Sequence, residues 1–166
     1  QPPNIVFINP DNYDYDPDKP AYTRKTISKD DYPNFSITNS FGVPSKEPDV
    51  WQEDIKRLLP QLAKGQLLIL SVMGTANEET TEEEYVADFV HCAQLGVQAG
   101  APVIEVNLSC PNLGTGAIFN NHQLSKKILE EVKKAIREAP LLAKIGYFPG
   151  KRELKEFVKT THEFVD

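Results

Sequence analysis

The sequence predicts an α/β protein built on a parallel sheet. Apolar segments start near residues 67, 103 and 141, so predicted strands recur about every 36 to 38 residues. Segments with the apolar periodicity of a helix lie between them. A strand, a helix and a second strand at this spacing form a right-handed βαβ unit. An open doubly wound sheet and a (β/α)8 barrel both repeat this unit. No G-x-G-x-x-G motif follows the first of these strands, which disfavours a dinucleotide-binding open sheet.

The chain divides into two predicted segments. Residues 1–38 are rich in proline and tyrosine and are expected to form loops or a hairpin, with one short strand at residues 5–8. Residues 11–18 carry several aspartates, but they lack the glycine and glutamate of an EF-hand loop, so a solvated loop is favoured over a calcium site. Residues 39–166 are the predicted α/β segment, which opens with a loop at residues 39–46.

The elements of the second segment follow from their apolar patterns. A continuous apolar run at residues 67–72 is typical of a strand buried on both faces. Thr81 and Glu84 form a capping box for a helix that runs to about Leu95. Strands are also predicted at residues 103–108 and 141–145. Three further helices are predicted, at residues 48–62, around the apolar series from Leu124 to Ile136, and at residues 151–165. The apolar side of the last helix consists of Leu154, Phe157, Val158 and Phe164.

Composition narrows the class of protein. With 166 residues the chain is too short for a whole eight-unit barrel, which needs about 250. The net charge of −6 disfavours a nucleic-acid surface and an anionic membrane as partners. Two cysteines give no disulfide framework and indicate a reducing, cytoplasmic compartment. No apolar run reaches the roughly 20 residues that span a bilayer.

Polar side chains collect where the predicted strands end. Ser71 ends the first strand, Asn107 and Ser109 end the second, and Lys144 ends the third. The carboxyl ends of parallel strands share one rim, so these residues are expected to converge there. Cys110 follows Ser109 and is a candidate general base or nucleophile. Lys144 lies inside an apolar run, where an unpaired ammonium is costly, and this favours a functional role. His91, His122 and His162 have no metal-ligand spacing, so no metal site is predicted.

Three motifs together resemble one enzyme family. Residues 107–112 read N-L-S-C-P-N, residues 39–42 read N-S-F-G, and A-K-I at 143–145 is followed by Tyr147 and Phe148. This series resembles, in order and rough spacing, the dihydroorotate dehydrogenases, which are FMN-dependent (β/α)8 barrels. The resemblance implies a TIM-type FMN barrel of which this chain supplies the second to fifth units. It also implies oxidation of dihydroorotate to orotate in pyrimidine biosynthesis.

The resemblance implies a role for each matching residue. Cys110 would remove the proton from C5 of dihydroorotate while the hydride leaves C6 for FMN. Expected substrate contacts are Asn39, Phe41, Gly42, Val43, Asn107 and Asn112, and expected cofactor contacts are Asn107, Lys144 and Ser71, the last from its strand-end position. A cysteine base resembles the cytosolic class 1 enzymes, which imply a homodimer and electron transfer to fumarate, or to NAD through an iron–sulfur partner subunit.

Two alternatives stay open. One is a flavin-barrel oxidoreductase that acts on another dihydropyrimidine or a cyclic imide. The other is a half-barrel without catalytic activity. In the family, the glycine-rich loops that hold the FMN phosphate follow the fifth strand. The isolated 166 residues are therefore expected to bind FMN weakly or not at all.

Overall fold

The structure is a computed structural model that describes two regions of the chain in different detail. The described residues are Ile5–Ile8 and Ser36–Asn39, by their backbone, and residues 45–109 and 117–166, with their side chains. The fold separates into two compact units, Gln1–Ser45 and Lys46–Asp166. The predicted division after residue 38 stays a prediction.

The first unit contains an antiparallel pair of strands. β1 (Ile5–Ile8) pairs with β2 (Ser36–Asn39), with Ile5 opposite Asn39. The strand predicted at residues 5–8 is confirmed. The loop or hairpin expected for the rest of residues 1–38 lies largely outside the described residues and stays a prediction. Asn39, which was predicted to begin a loop, is the last residue of β2.

The second unit alternates helices and strands as predicted. In chain order it contains α1 (Pro48–Leu58), β3 (Ile69–Val72), α2 (Glu82–Gln98), β4 (Val103–Asn107), α3 (His122–Ile136), β5 (Leu141–Lys144) and α4 (Lys151–Thr161). Short 3-10 helices lie at Leu59–Gln61, Ile118–Asn120 and His162–Phe164. The first helix was predicted to reach Leu62 but leaves α geometry after Leu58. Pro60 has no N–H to continue the α-helical pattern, so the chain tightens into a 3-10 turn.

Side-chain caps set where two of the helices begin. Thr81 Oγ accepts a hydrogen bond from the backbone N–H of Glu84 at 3.2 Å, and Glu84 Oε2 accepts one from the Thr81 N–H at 2.8 Å. This is the predicted capping box, and it starts α2. Asn121 Oδ1 accepts from the Leu124 N–H at 3.1 Å and starts α3. Each cap therefore marks where the connection from the carboxyl end of a strand ends and the next helix begins.

The sheet of the second unit has sequential parallel strands with helices packed along it. β3, β4 and β5 are parallel neighbours in sequential order. α2 lies against the face that carries Leu70 and Ile104, because a Cβ at Gly96 would overlap both side chains. α3 packs beside α2, and α4 packs beside α3. Sequential parallel strands with neighbouring helices occur in a (β/α)8 barrel segment and also in one half of a doubly wound sheet, so these three strands agree with both architectures.

The hydrophobic core lies between this sheet and its helices. Its fully buried residues come from α2, from β4 and the residue after it, from α3 and from the start of β5: Phe89, Ala93, Ile104, Val106, Leu108, Ile128, Leu129, Val132 and Leu141. Alternation along β4 places Ile104 and Val106 in the core, and Glu105 and Asn107 on the opposite face of the sheet.

Two predicted burial patterns are wrong. The run at residues 67–72 is not buried on both faces, since Leu67 is 61% exposed and Ile69 46% exposed. Within the described residues β3 is an edge strand, and only one of its faces packs on a helix. Leu154 and Val158 of α4 are also exposed, at 40% and 48%, whereas Phe157 is buried. A helix on a single sheet buries a narrow stripe, and these two residues lie at its margin.

Candidate functional site

The candidate site lies on the face of the sheet that carries Ser71, Glu105, Asn107 and Lys144, here called the polar face. In the strand register Ser71 lies opposite Glu105, and Asn107 lies opposite Lys144. Side chains on one face of adjacent parallel strands are about 4.8 Å apart at the same register. The structure therefore brings together Ser71, Asn107 and Lys144, the three predicted strand-end residues that belong to strands. It adds one residue that the sequence did not single out, Glu105.

Asn107 is held in one orientation. Its side chain is buried, with 7% exposed, and Oδ1 accepts hydrogen bonds from the Ser109 backbone N–H at 3.1 Å and from Ser109 Oγ at 2.7 Å. A backbone N–H can only donate, so the accepting atom of Asn107 is its oxygen. The amide NH2 has no partner among the described residues. Asn107 thus presents donors, and an acceptor-rich ligand would complete it.

The surroundings of the Lys144 side chain differ from those that its sequence context predicted. The apolar run around it predicted an ammonium in apolar surroundings, but the side chain is exposed. Strand alternation turns Lys144 away from Ala143 and onto the polar face. Its backbone stays in the ladder, since its carbonyl accepts from the Leu108 N–H at 2.9 Å. Its ammonium forms no ion pair within the part of the chain that the structure describes, so it is available to an anion.

Ser71 and Glu105 form a pair on the same face. Ser71 Oγ donates to Glu105 Oε1 at 2.6 Å, a short bond of the charge-assisted kind. The hydroxyl proton of Ser71 is thus directed to Glu105, and the predicted contact of Ser71 with a cofactor stays a prediction. Period-two alternation was the available signal for Glu105, because a residue two positions before Asn107 must share its face.

Aromatic side chains support the loops that leave β4 and β5. Phe119 and Phe148 meet edge to face, with ring centroids 4.9 Å apart, and Phe148 also contacts Phe157 of α4 at 5.5 Å. Gly146 passes beside this cluster, because a Cβ there would lie 2.5 Å from Phe119 Cε1. The segment after Lys144 is thereby fixed against the loop after β4.

Several predicted site residues lie outside what the structure describes. These are Phe41, Gly42, Val43, Cys110 and Asn112, while Asn39 is described by its backbone alone. Their predicted roles stay predictions. The other cysteine, Cys92, is half-buried on α2, and burial followed by the charge of Asp88 raises the pKa of its thiol. A raised pKa leaves little thiolate at neutral pH, which agrees with a packing role for Cys92.

The described residues offer neither a metal cluster nor a membrane span. No group of three or more histidine, cysteine, aspartate or glutamate side chains among them is arranged to hold a metal ion. None of the helices in these parts of the chain combines the length and apolar character needed to cross a membrane.

The donors on the polar face fit a flavin. The isoalloxazine ring carries nitrogen and oxygen acceptors and becomes anionic on reduction. An oriented amide at Asn107 and, on the adjacent strand, the ammonium of Lys144, which is unpaired among the described residues, match that chemistry. Among the described residues, these two would hold the ring system.

Comparison with known proteins identifies the relatives of the chain. The sequence model of the dihydroorotate dehydrogenase family matches residues 18–161. A dihydroorotate dehydrogenase of Dictyostelium discoideum is 30% identical over 155 residues, which cover 87% of this chain and 40% of that protein. The tRNA-dihydrouridine synthase B proteins of Shigella flexneri and Escherichia coli K12 are 26% and 25% identical over 128 residues, which cover 72% of this chain and 37% of each relative. The chain thus spans less than half the length of these curated relatives.

Proposed function

The chain belongs to the dihydroorotate dehydrogenase family, and on that premise we propose that it forms the catalytic strands of an FMN-dependent oxidoreductase that converts dihydroorotate to orotate. One observation carries the proposal. Asn107 and Lys144 face each other at the carboxyl ends of adjacent parallel strands, with donors that have no protein partner in the described residues. Active sites of (β/α)8 barrels are built at this end of the strands.

The residues of the chain divide the chemistry between them. Cys110, three residues after Asn107, accepts the proton that leaves C5 of the substrate, and its thiolate becomes a thiol. FMN, when bound, supplies the acceptor for the hydride that leaves C6. Lys144 stabilises negative charge on the ring system with its fixed positive charge, and Asn107 donates hydrogen bonds to ring acceptors. Asn39, Asn112 and the backbone of residues 41–43 are proposed to orient the substrate.

Further parts of the proposal follow from the family resemblance. The cysteine at position 110 favours class 1 chemistry, with fumarate as electron acceptor, or NAD reached through a partner subunit. A homodimer in the cytoplasm is proposed on the same ground.

The experiment compares two cysteine variants in the flavin-loaded protein. Cys110→Ser should lower turnover of dihydroorotate by about 10²–10⁴, because a hydroxyl is a much weaker general base than a thiolate. The flavin absorbance bands should remain. Cys92→Ser makes the same chemical change on a half-buried helix position and should keep turnover within about twofold of the unchanged protein. An unchanged rate in Cys110→Ser would remove Cys110 from the mechanism.

A second candidate function is favoured by the dihydrouridine synthase relatives. Dihydrouridine contains a dihydropyrimidine ring, so the same strands would suit another substrate of that class. Anaerobic addition of dihydroorotate, and separately of dihydrouracil, distinguishes the two through the flavin absorbance. Bleaching by dihydroorotate alone supports the first function. Bleaching by dihydrouracil alone supports the second.

A further inference from the structure

The polar face holds two opposite charges that do not pair. Glu105 and Lys144 lie on adjacent strands of the same face, offset by two residues, because Glu105 is opposite Leu142 and Lys144 is opposite Asn107. Their Cβ atoms are therefore about 8 Å apart, within reach of an ion pair between a glutamate and a lysine. Both side chains line one open groove of about 540 Å³ beside β5. No ion pair joins them in the structure.

The Glu105 carboxylate is instead turned to the other neighbouring strand. Its Oε1 accepts the Ser71 hydroxyl proton at 2.6 Å. A carboxylate bound to a hydroxyl on β3 is directed away from β5. We propose that Ser71 is a positioning residue: it holds the Glu105 carboxylate away from Lys144, so that the Lys144 ammonium stays available to an anionic ligand. This role deepens the proposed function and rests on it for the identity of the anion, which would be the reduced flavin ring or the substrate carboxylate.

The Ser71 hydroxyl and the Lys144 ammonium compete for the Glu105 carboxylate. On the described strands, Lys144 is the cationic residue that shares this face with Glu105. An exposed glutamate–lysine pair is weak, so a single charge-assisted hydrogen bond is enough to decide which partner the carboxylate takes. Removal of the Ser71 hydroxyl should therefore allow Lys144 to form an ion pair with Glu105. Glu105→Gln removes the charge and should leave Lys144 unpaired whether Ser71 is present or absent.

The test measures how readily Lys144 reacts, and it needs no flavin. Acetic anhydride modifies only the neutral amine, and an ammonium in an ion pair releases its proton less readily. The acetylation rate of Lys144 is measured in the full chain by mass spectrometry, relative to the exposed Lys155 of α4 in the same molecules. Ser71→Ala should slow the reaction of Lys144 about two- to fivefold, the range that an exposed ion pair of ordinary strength gives. Ser71→Thr keeps a hydroxyl and should restore the original rate.

A double variant separates positioning from any general effect of removing the hydroxyl. In the Glu105→Gln background, Ser71→Ala should no longer change the rate of Lys144. The inference is overturned if Ser71→Ala leaves the rate unchanged, or if it slows Lys144 equally in both backgrounds. Unchanged turnover of dihydroorotate in Cys110→Ser together with the predicted labelling pattern would refute the proposed mechanism and uphold the positioning role of Ser71. A loss of turnover in Cys110→Ser together with unchanged labelling in Ser71→Ala would support the proposed function and refute the positioning role.

Discussion

Replacing Gly146 by alanine tests whether the aromatic cluster fixes the segment that follows Lys144. A Cβ at this position would lie 2.5 Å from Cε1 and 2.7 Å from Cζ of Phe119. The Phe119 ring is 7% exposed and is held by its edge-to-face contact with Phe148 at 4.9 Å. Its backbone N–H is bonded to the Leu108 carbonyl at 3.1 Å. The ring therefore has little room to move away, and the added methyl group overpacks the cluster.

Two opposing contributions set the size of the effect. Overpacking a well-packed core costs about 1–3 kcal/mol. Alanine also restricts the unfolded chain, which stabilises the folded state by about 0.4–1 kcal/mol where the backbone tolerates it. Gly146 does not lie in the left-handed region, so its backbone accepts alanine. Together these ranges give a net loss of about 0–2.6 kcal/mol in the free energy of unfolding. The middle of that range, about 1.3 kcal/mol, corresponds to a fall in Tm of about 3–5 °C for a chain of this size.

Urea unfolding of the original protein, Gly146→Ala, Phe119→Leu and the double variant measures the energetic coupling between residues 146 and 119. Gly146→Ala should destabilise the original protein but should have little effect, or stabilise slightly, when Phe119→Leu has removed the facing ring edge. Gly65→Ala is the contrasting variant, because Gly65 has a φ of +90° and no atom within 4 Å of an added Cβ. Its cost is backbone strain, and Phe119→Leu should not relieve it. A penalty for Gly146→Ala that survives Phe119→Leu would refute the steric reasoning.

Three further outcomes are expected. Thr81→Ala should lower the free energy of unfolding by about 0.5–2 kcal/mol in urea titrations, while Thr81→Ser should be nearly neutral; an equal loss in both would contradict the capping role. The Lys133 ammonium, and then the backbone N–H of Leu141, lower the pKa of Asp166 below its ordinary 3.8, so its stabilising effect is present above that pH and is lost as the pH falls through the lower folded value. Asp166→Asn should therefore destabilise the protein at pH 7 and make less difference below pH 3, and an equal difference at both would be inconsistent with the ion pair. Because the pKa of Cys92 is raised, this thiol should react with iodoacetamide at pH 7 more slowly than free glutathione does, and a faster reaction would contradict its burial.

Much of the second unit was predictable because its signals are local. Each signal depends on residues close together in the sequence. These signals are the capping box at Thr81, the four-residue spacing from Leu124 to Ile136 and the apolar pattern of each strand. The positions of two candidate-site residues were predictable for a similar reason. Asn107 and Lys144 end apolar strands, and parallel strands bring their carboxyl ends together. Cys110 and the N-S-F-G segment were identified through family resemblance, and their roles remain predictions.

The errors share one cause, which is that burial depends on which elements pack on each face. An apolar run cannot tell that β3 is an edge strand in the described sheet, or that Lys144 turns onto the polar face. The orientation of Asn107 by Ser109 and the choice of Ser71 over Lys144 as the partner of Glu105 likewise depend on cross-strand register and side-chain geometry. The sequence by itself determined the βαβ repeat, the helix starts and the polar strand ends. Membership of the family, rather than the three described strands, decides barrel over open sheet. The tertiary structure alone decided which donors are left for a ligand, because register and hydrogen-bond partners join residues that lie far apart in the chain.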